Sequence, residues 1–266
     1  MNTDAHRAFL DRIRSRLEAE PDVLGLVGLG STSGEGPAPD DFSDHDLFVI
    51  TRPGAQERFR TDLSWLPDPG SIALSFRETA HGVKVLYTSG HLVEFAAFDL
   101  EEIALARVNR HRVVFDRADV TARMARVREV SAAPSPVEDP RWLAGQLLTN
   151  LAVGAARAAR GERLSGHQLV RVSALAHLVA LLRQPLPEAR RSQLDDLDRF
   201  RRLERALPEV AAELDRALQL PVVSAARALL AVAARERPEL VTPAARAAVE
   251  VVLGRAEEAH IAKRRR

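Results

Sequence analysis

Strand-like sequence stops near residue 130, and everything after it reads as helix. Ser131 to Pro140, SAAPSPVEDP, holds three prolines and only one long apolar side chain, Val137, which is the composition of a linker. Beyond it, Arg141 to Arg160, Ser165 to Arg183, Pro187 to Leu207, Pro208 to Gln219, Val222 to Arg237 and Thr242 to Ile261 are rich in Ala, Leu, Arg and Glu. These are strong helix formers, and successive runs of them read as a helical bundle. A chain of 266 residues has room for two ordinary domains, and the break divides 1–133 from 134–266. The fold class expected is therefore α+β, with a mixed-sheet domain first and an all-α domain second.

Composition removes several kinds of chemistry. The chain has no cysteine, which excludes disulfides, zinc–thiolate sites and thiol nucleophiles. A formal net charge of +1 gives no global pull toward nucleic acid or an anionic membrane. Arginine carries nearly all the positive charge, and Lys84 and Lys263 are the only lysines. The opening MNTDAHRAFLDRIRSRLEAE is too charged for a signal peptide. No run approaches the roughly 18 apolar residues of a membrane span, so a cytoplasmic protein without a membrane partner is expected.

The first half alternates its patterns. Phe9, Ile13 and Leu17 recur every four residues in a helix expected over Asp4 to Glu20. Strands are expected at Val23 to Leu29, Asp44 to Ile50, Ser71 to Phe76, Val83 to Thr88, His91 to Phe98 and His111 to Asp116. Ser89-Gly90 joins two of them as a hairpin. Helices are expected at Ala55 to Trp65, Glu101 to Val108 and Asp119 to Val130, and Gly34 to Asp41, with its prolines and glycines, is a loop.

Chemistry concentrates between Val23 and Ile50. The second strand there opens Asp44-His45-Asp46. A strand alternates sides, so Asp44 and Asp46 share one face while His45, Leu47 and Val49 face the other way. Two adjacent carboxylates stay ionised together most easily around a divalent cation, and oxygen ligands of this kind suit Mg²⁺, which also takes phosphate oxygens. Upstream, Gly30-Ser31 makes a turn whose backbone N–H groups can meet a phosphate. A third acid belongs on a neighbouring strand. Glu94 is the lone charge in HLVEFAAF, on the face of Leu92, Ala96 and Phe98. The ordinary reading of such a residue is an edge-strand acid facing water; the functional one is a metal ligand or a general base. Asp99, at the end of that strand, fits a helix cap better.

Other motifs fail. The glycines of Gly28-Leu29-Gly30-Ser31-Thr32-Ser33-Gly34 are misplaced for a dinucleotide-binding turn, and Pro37 and Pro39 deny the helix that such a turn needs. No Gly-Lys-Ser or Gly-Lys-Thr follows, as a P-loop requires. His81, His91, His111 and His167 have no metal-ligand spacing and read as core or surface residues.

Gly30-Ser31, then Ser43-Asp44-His45-Asp46 with Leu47-Phe48-Val49-Ile50, then an acid inside a later apolar strand, resembles the polymerase-β-type nucleotidyltransferase superfamily. The two-domain layout is similar to the antibiotic nucleotidyltransferases that adenylylate aminoglycosides and lincosamides. Arg199-Phe200-Arg201-Arg202-Leu203-Glu204 is similar to a stretch in that family's C-terminal domain. The resemblance implies a mixed sheet with helices on one face and an active site between the domains. It implies two Mg²⁺ ions, with Asp44 and Asp46 as ligands and Glu94 as third ligand or general base. It makes Gly30 and Ser31 the triphosphate-binding turn and Ser43 a further phosphate contact. The reaction implied is attack of a substrate hydroxyl on the α-phosphorus of ATP, with a small hydroxylated molecule as acceptor.

In many relatives a basic turn follows Gly-Ser; here the run is Thr32-Ser33-Gly34-Glu35-Gly36, with Asp40 and Asp41 further on. Positive charge for a triphosphate must then come from elsewhere, and Arg171 is a candidate. Gln146, Thr149 and Asn150 form a polar face that could line a substrate cleft, and Glu138, Asp139, Glu162 and Glu204 are acids available to a cationic acceptor. Two other readings stand beside the first: transfer to a protein side chain or an RNA end, and a catalytically silent nucleotide-binding protein such as a toxin–antitoxin partner. The oligomeric state is not readable from the sequence.

Overall fold

The structure is a computed structural model that describes residues 3–34, 38–40, 42–132 and 138–264. Glu35, Asp41, residues 133–137 of the expected linker and the terminal Arg265 and Arg266 lie outside the described residues. The chain divides into two compact units, Met1–Ala133 and Pro134–Arg266.

The first unit is built on a six-stranded sheet: β1 (Val23–Leu29), β2 (His45–Thr51), β3 (Ile72–Arg77), β4 (Gly82–Tyr87), β5 (Leu92–Phe98) and β6 (His111–Asp116). Their order is β3-β4-β5-β2-β1-β6. β2 and β5 run parallel and every other pair is antiparallel, so the sheet is mixed. Among the described residues, three α-helices accompany it, α1 (Thr3–Glu18), α2 (Gln56–Thr61) and α3 (Val120–Ala132).

Alternation along the central strands sorts the core. Leu47, Val49, Val93, Phe95 and Ala97 pack with Phe9, Ile13 and Leu17 of α1 and Phe59 of α2. On the opposite face Phe48, Ile50 and Phe98 pack with Val120, Met124 and Val127 of α3. Helical segments thus lie on both faces, where the resemblance implies one. The reason is in the strands: Leu47 to Ile50 and Phe95 to Phe98 are apolar without interruption, the signature of strands covered on both sides.

Several boundaries differ from expectation. β2 begins at His45, so Asp44 sits just before the strand. The segment expected as a helix from Glu101 narrows to one 3₁₀ turn, Glu102–Leu105. The helix expected to reach Trp65 stops at Thr61, and Trp65 turns back to donate its indole N–H to the Phe59 carbonyl at 3.1 Å.

The second unit is helical: α4 (Pro140–Arg160), α5 (Arg163–His167), α6 (Leu175–Arg183), α7 (Glu188–Arg191), α8 (Leu203–Ala206), α9 (Pro208–Gln219), α10 (Val222–Glu236) and α11 (Pro243–Arg264). A π-helical stretch, Gln168–Ala174, joins α5 to α6. Leu143, Leu147 and Leu151 of α4 meet Leu178, Leu229 and Leu253 in one core. The single helix expected over Pro187 to Leu207 is two short helices with irregular chain between them. The Arg183 guanidinium donates to the carbonyls of Asp195, Asp198 and Arg199, and Arg202 has a left-handed φ of 67°. The Asp195 side chain, only 3% exposed, lies 3.7 and 3.8 Å from Arg201 and Arg202. Carbonyls that accept from the Arg183 guanidinium, and the Leu197 and Asp198 N–H groups that donate to the Asp195 carboxylate at 3.0 and 3.2 Å, are not available to an i to i+4 ladder. The arginine-rich stretch noted in the sequence is thereby used to tie this loop down.

Candidate functional site

The site starts from the turn after β1. Gly30–Ser33 forms one 3₁₀ turn, entered by Gly30 at φ +52° and left by Gly34 at φ +74°. Two glycines make the turn possible for different reasons. A Cβ on Gly28 would stand 2.7 Å from the Thr32 carbonyl oxygen, so the turn folds back directly over bare backbone. Gly30 needs the left-handed region, and a Cβ there would stand 3.0 Å from Asp46 Oδ2. The Asp46 carboxylate therefore lies against the one place in the turn that has no side chain.

The sheet register brings the acids into one row. Across β2 and β5, Asp46 is the partner of Glu94. Across β4 and β5, Glu94 is the partner of Lys84. Partners in register project to the same face, so Lys84, Glu94 and Asp46 stand side by side on three adjacent strands. β5 is an interior strand, so Glu94 is not the edge-strand acid of the ordinary reading. The Lys84 Nζ lies 3.2 Å from Glu94 Oε1 and 2.9 Å from Glu78 Oε1. Hydrogen bonds to Glu78 and then Glu94 hold its ammonium above the usual lysine range.

Asp44 is held through its main chain, before the strand begins. Its carbonyl accepts from the Ser31 hydroxyl at 3.1 Å and from His6 Nε2 at 2.9 Å, which pins the start of β2 to the turn and to α1. With Ser43 and His91 it lines a cavity of about 370 Å³. Ser43 is occupied locally: its hydroxyl accepts from the Asp40 N–H at 2.9 Å and donates to Asp40 Oδ1 at 3.1 Å. Among the described residues, no three His, Asp or Glu side chains are grouped at a spacing that holds a metal ion. The donor set nevertheless suits Mg²⁺, which is commonly held by one or two carboxylates together with substrate phosphates rather than by an all-protein cage. Asp46 and Glu94, in register beside the bare backbone of Gly30, supply those carboxylates.

Behind the row lies a buried histidine relay that the alternation of β2 anticipated only as a buried His45. The His6 carbonyl can only accept, so His45 carries its proton on Nε2 and donates at 2.9 Å. His45 Nδ1 then accepts from His91 Nε2 at 2.9 Å. The His6 ring stacks on His45 at 3.6 Å. Burial, then the neighbouring His6, pushes His45 down to about 3, which keeps the ring neutral. His91 is lowered as well, first by burial.

Other candidates make local contacts. Asp99 accepts from the N–H groups of Glu101 and Glu102 at 2.8 Å each, the cap that its position suggests. Arg171 donates to the Leu220 carbonyl and lines a cleft of about 620 Å³ with Arg163 and His167 in the second unit. The Thr149 hydroxyl bonds back to the Gly145 carbonyl, and Asn150 reaches His177 Nδ1 at 3.5 Å. Asp139 caps α4 by accepting from the Arg141 N–H, Glu138 pairs with Arg199, and Glu162 pairs with Arg160. Lys84 escaped the sequence reading because the register of its hairpin differs from the one the turn suggested. A two-residue turn at Ser89-Gly90 would pair Lys84 with Phe95; the loop actually spans three residues, 88–90, closed by the Tyr87 N–H to the His91 carbonyl at 2.9 Å, and that one-residue change brings Lys84 opposite Glu94.

No family model matches the chain, and no curated protein does. Among solved structures, the chain is similar to an aminoglycoside 6-adenyltransferase from Bacillus subtilis, at 12% identity and a TM-score of 0.36, over 92% of this chain and 96% of that one. It is also similar to a nucleotidyltransferase-like protein from Exiguobacterium sibiricum 255-15, at 16% identity and a TM-score of 0.33, over 96% of this chain and 91% of that one.

Proposed function

We propose that this chain is a nucleotidyltransferase that moves AMP from ATP to a hydroxyl of a small molecule, with Mg²⁺ as the metal. The observation that supports it is the register of Asp46 with Glu94 beside a glycine turn that no side chain fills. Asp46 and Glu94, with Asp44 at the mouth of β2, would hold the metal, two ions at full occupancy. When bound, Mg²⁺ neutralises charge on the triphosphate and on the leaving pyrophosphate.

The chain's own residues do the rest. The turn Gly30–Ser33 presents backbone N–H groups to the phosphates, and the Ser31 hydroxyl keeps that turn in place through the Asp44 carbonyl. The acceptor oxygen attacks the α-phosphorus, the bond from that phosphorus to the bridging oxygen breaks, and pyrophosphate leaves. Glu94 serves as metal ligand or takes the proton of the attacking hydroxyl. The near-neutral net charge favours a small acceptor over RNA. Aminoglycoside and lincosamide antibiotics are the acceptor classes to try first.

The test is mass spectrometry of a panel of such antibiotics, and of protein and RNA, after incubation with ATP and Mg²⁺. One added AMP on a small molecule is the expected result; an adduct on protein or RNA moves the acceptor, and no adduct on any of them leaves a silent nucleotide binder. Asp46→Asn should abolish turnover while the circular dichroism spectrum and melting temperature stay those of the parent. Near-normal activity in that variant would rule out the metal role.

A further inference from the structure

Lys84 is one of two lysines in a chain that otherwise uses arginine for positive charge, and it stands in the acidic row itself. Its ammonium reaches Glu94 Oε1 at 3.2 Å, and Glu94 is the in-register neighbour of Asp46. A second acid, Glu78, holds the same ammonium at 2.9 Å and so fixes where it sits. Neither Lys84 nor Glu94 is deeply buried: their side chains are 28% and 32% exposed.

We infer that Lys84 is an internal counter-charge of the acidic row: it occupies Glu94 when no metal is present and competes with a divalent cation for that carboxylate. This rests on the metal reading of Asp44, Asp46 and Glu94 given above. Two cations cannot both lie close to one carboxylate without repelling each other. Metal alone therefore binds weakly, since it must displace or approach an ammonium already held there. A nucleotide triphosphate changes that balance, because its phosphates bring negative charge that both cations can share. Lys84 on this account holds Glu94 from the β4 side and sets the order in which metal and nucleotide arrive.

Its removal has a signature that a merely structural lysine lacks. Losing the ammonium makes the row more negative, so a divalent cation by itself should bind more tightly. A purely structural lysine would, on removal, loosen the site and weaken the same binding.

The experiment titrates Mn²⁺ alone into the full-length protein without nucleotide and reads free Mn²⁺ by electron paramagnetic resonance. Lys84→Met should bind Mn²⁺ about fivefold more tightly than the parent, which is about 1 kcal/mol at 1.4 kcal/mol per tenfold. Lys84→Arg should retain the parent affinity, and adding Glu94→Gln to Lys84→Met should cancel the gain. Equal or weaker binding by Lys84→Met, in a variant whose circular dichroism matches the parent, overturns the inference and leaves the metal reading intact. If no form binds Mn²⁺ while all remain folded, the metal reading falls and the role of Lys84 falls with it.

Discussion

Gly30 shapes the turn that lies against the Asp46 carboxylate. It takes a left-handed φ of +52°, and it leaves space for an Asp46 oxygen that a Cβ would approach to 3.0 Å. An alanine there is strained by about 1–2 kcal/mol in the backbone alone. Gly30→Ala should therefore lower stability by about that amount and reduce turnover by up to roughly a hundredfold, since small misplacements of a catalytic group are costly. Denaturant midpoints and initial rates on the same preparation check both; unchanged rates would mean that the turn does not position Asp46. At this scale the sequence was most informative where a residue type has few uses. The glycine-serine turn and the apolar run around Glu94 each pointed to their place in the fold, whereas Asp44, expected on the strand, sits just before it. The sequence was least informative about pairs. Ser43 could be named as a phosphate contact because nothing in the chain order says that its hydroxyl is already engaged with Asp40.

Elements reveal how local bonds decide boundaries. α3 starts where it does because Asp116, the last residue of β6, accepts from Ala118 N–H at 3.0 Å and Val120 N–H at 2.9 Å through one oxygen. Its other oxygen accepts from the Thr121 N–H at 2.9 Å and hydroxyl at 2.7 Å. Partial burial works against the ionised carboxyl, but the bonds from Thr121, Val120 and Ala118 outweigh it and hold the group down at about 2. An unfolded aspartate titrates near about 3.9, so the folded state favours the ionised form. The stability this contributes is complete above about pH 4 and is lost as pH falls toward about 2. Asp116→Asn should flatten that part of the stability profile, as urea midpoints at about pH 5 and about pH 3 would reveal. A drop between those two points as large as the parent's would discount the cap.

In the second unit, α4 and α5 touch backbone to backbone. A Cβ on Gly166 would stand 2.8 Å from the Gly154 carbonyl oxygen and 3.0 Å from Ala158 Cβ. A Cβ on Gly154 would meet Val170 Cγ2 at 2.7 Å. Gly166→Val should cost about 1–3 kcal/mol, the usual penalty of overpacking, measurable as a lower melting temperature by circular dichroism. Full stability in that variant would mean that the two helices can separate without loss. Neither glycine stood out in the sequence, because a glycine in a helix reads as a weak helix former until the partner helix is seen.

At the scale of the whole molecule, each unit closes a core of its own. Leu26, Leu47 and Phe95 belong to the first, and Leu143, Leu178 and Leu229 to the second. A segment covering 134–266 expressed alone should therefore melt cooperatively as a helical protein, with calorimetry as the check; a non-cooperative transition would mean that the helical unit depends on the sheet unit. Among the described residues, no helix is long and apolar enough to cross a membrane.

Local chemistry was enough, from the chain alone, to place nearly every strand and the turn at Gly30-Ser31. Those features depend on side-chain period, backbone freedom and composition, all of which act over a few residues. Tertiary structure alone decided that β5 lies inside the sheet beside β2, that Glu94 thereby meets Asp46 on one flank and Lys84 on the other, and that helices cover both faces. Strand order is set by which apolar faces can be buried together, and that is a property of the assembled layers rather than of any one stretch.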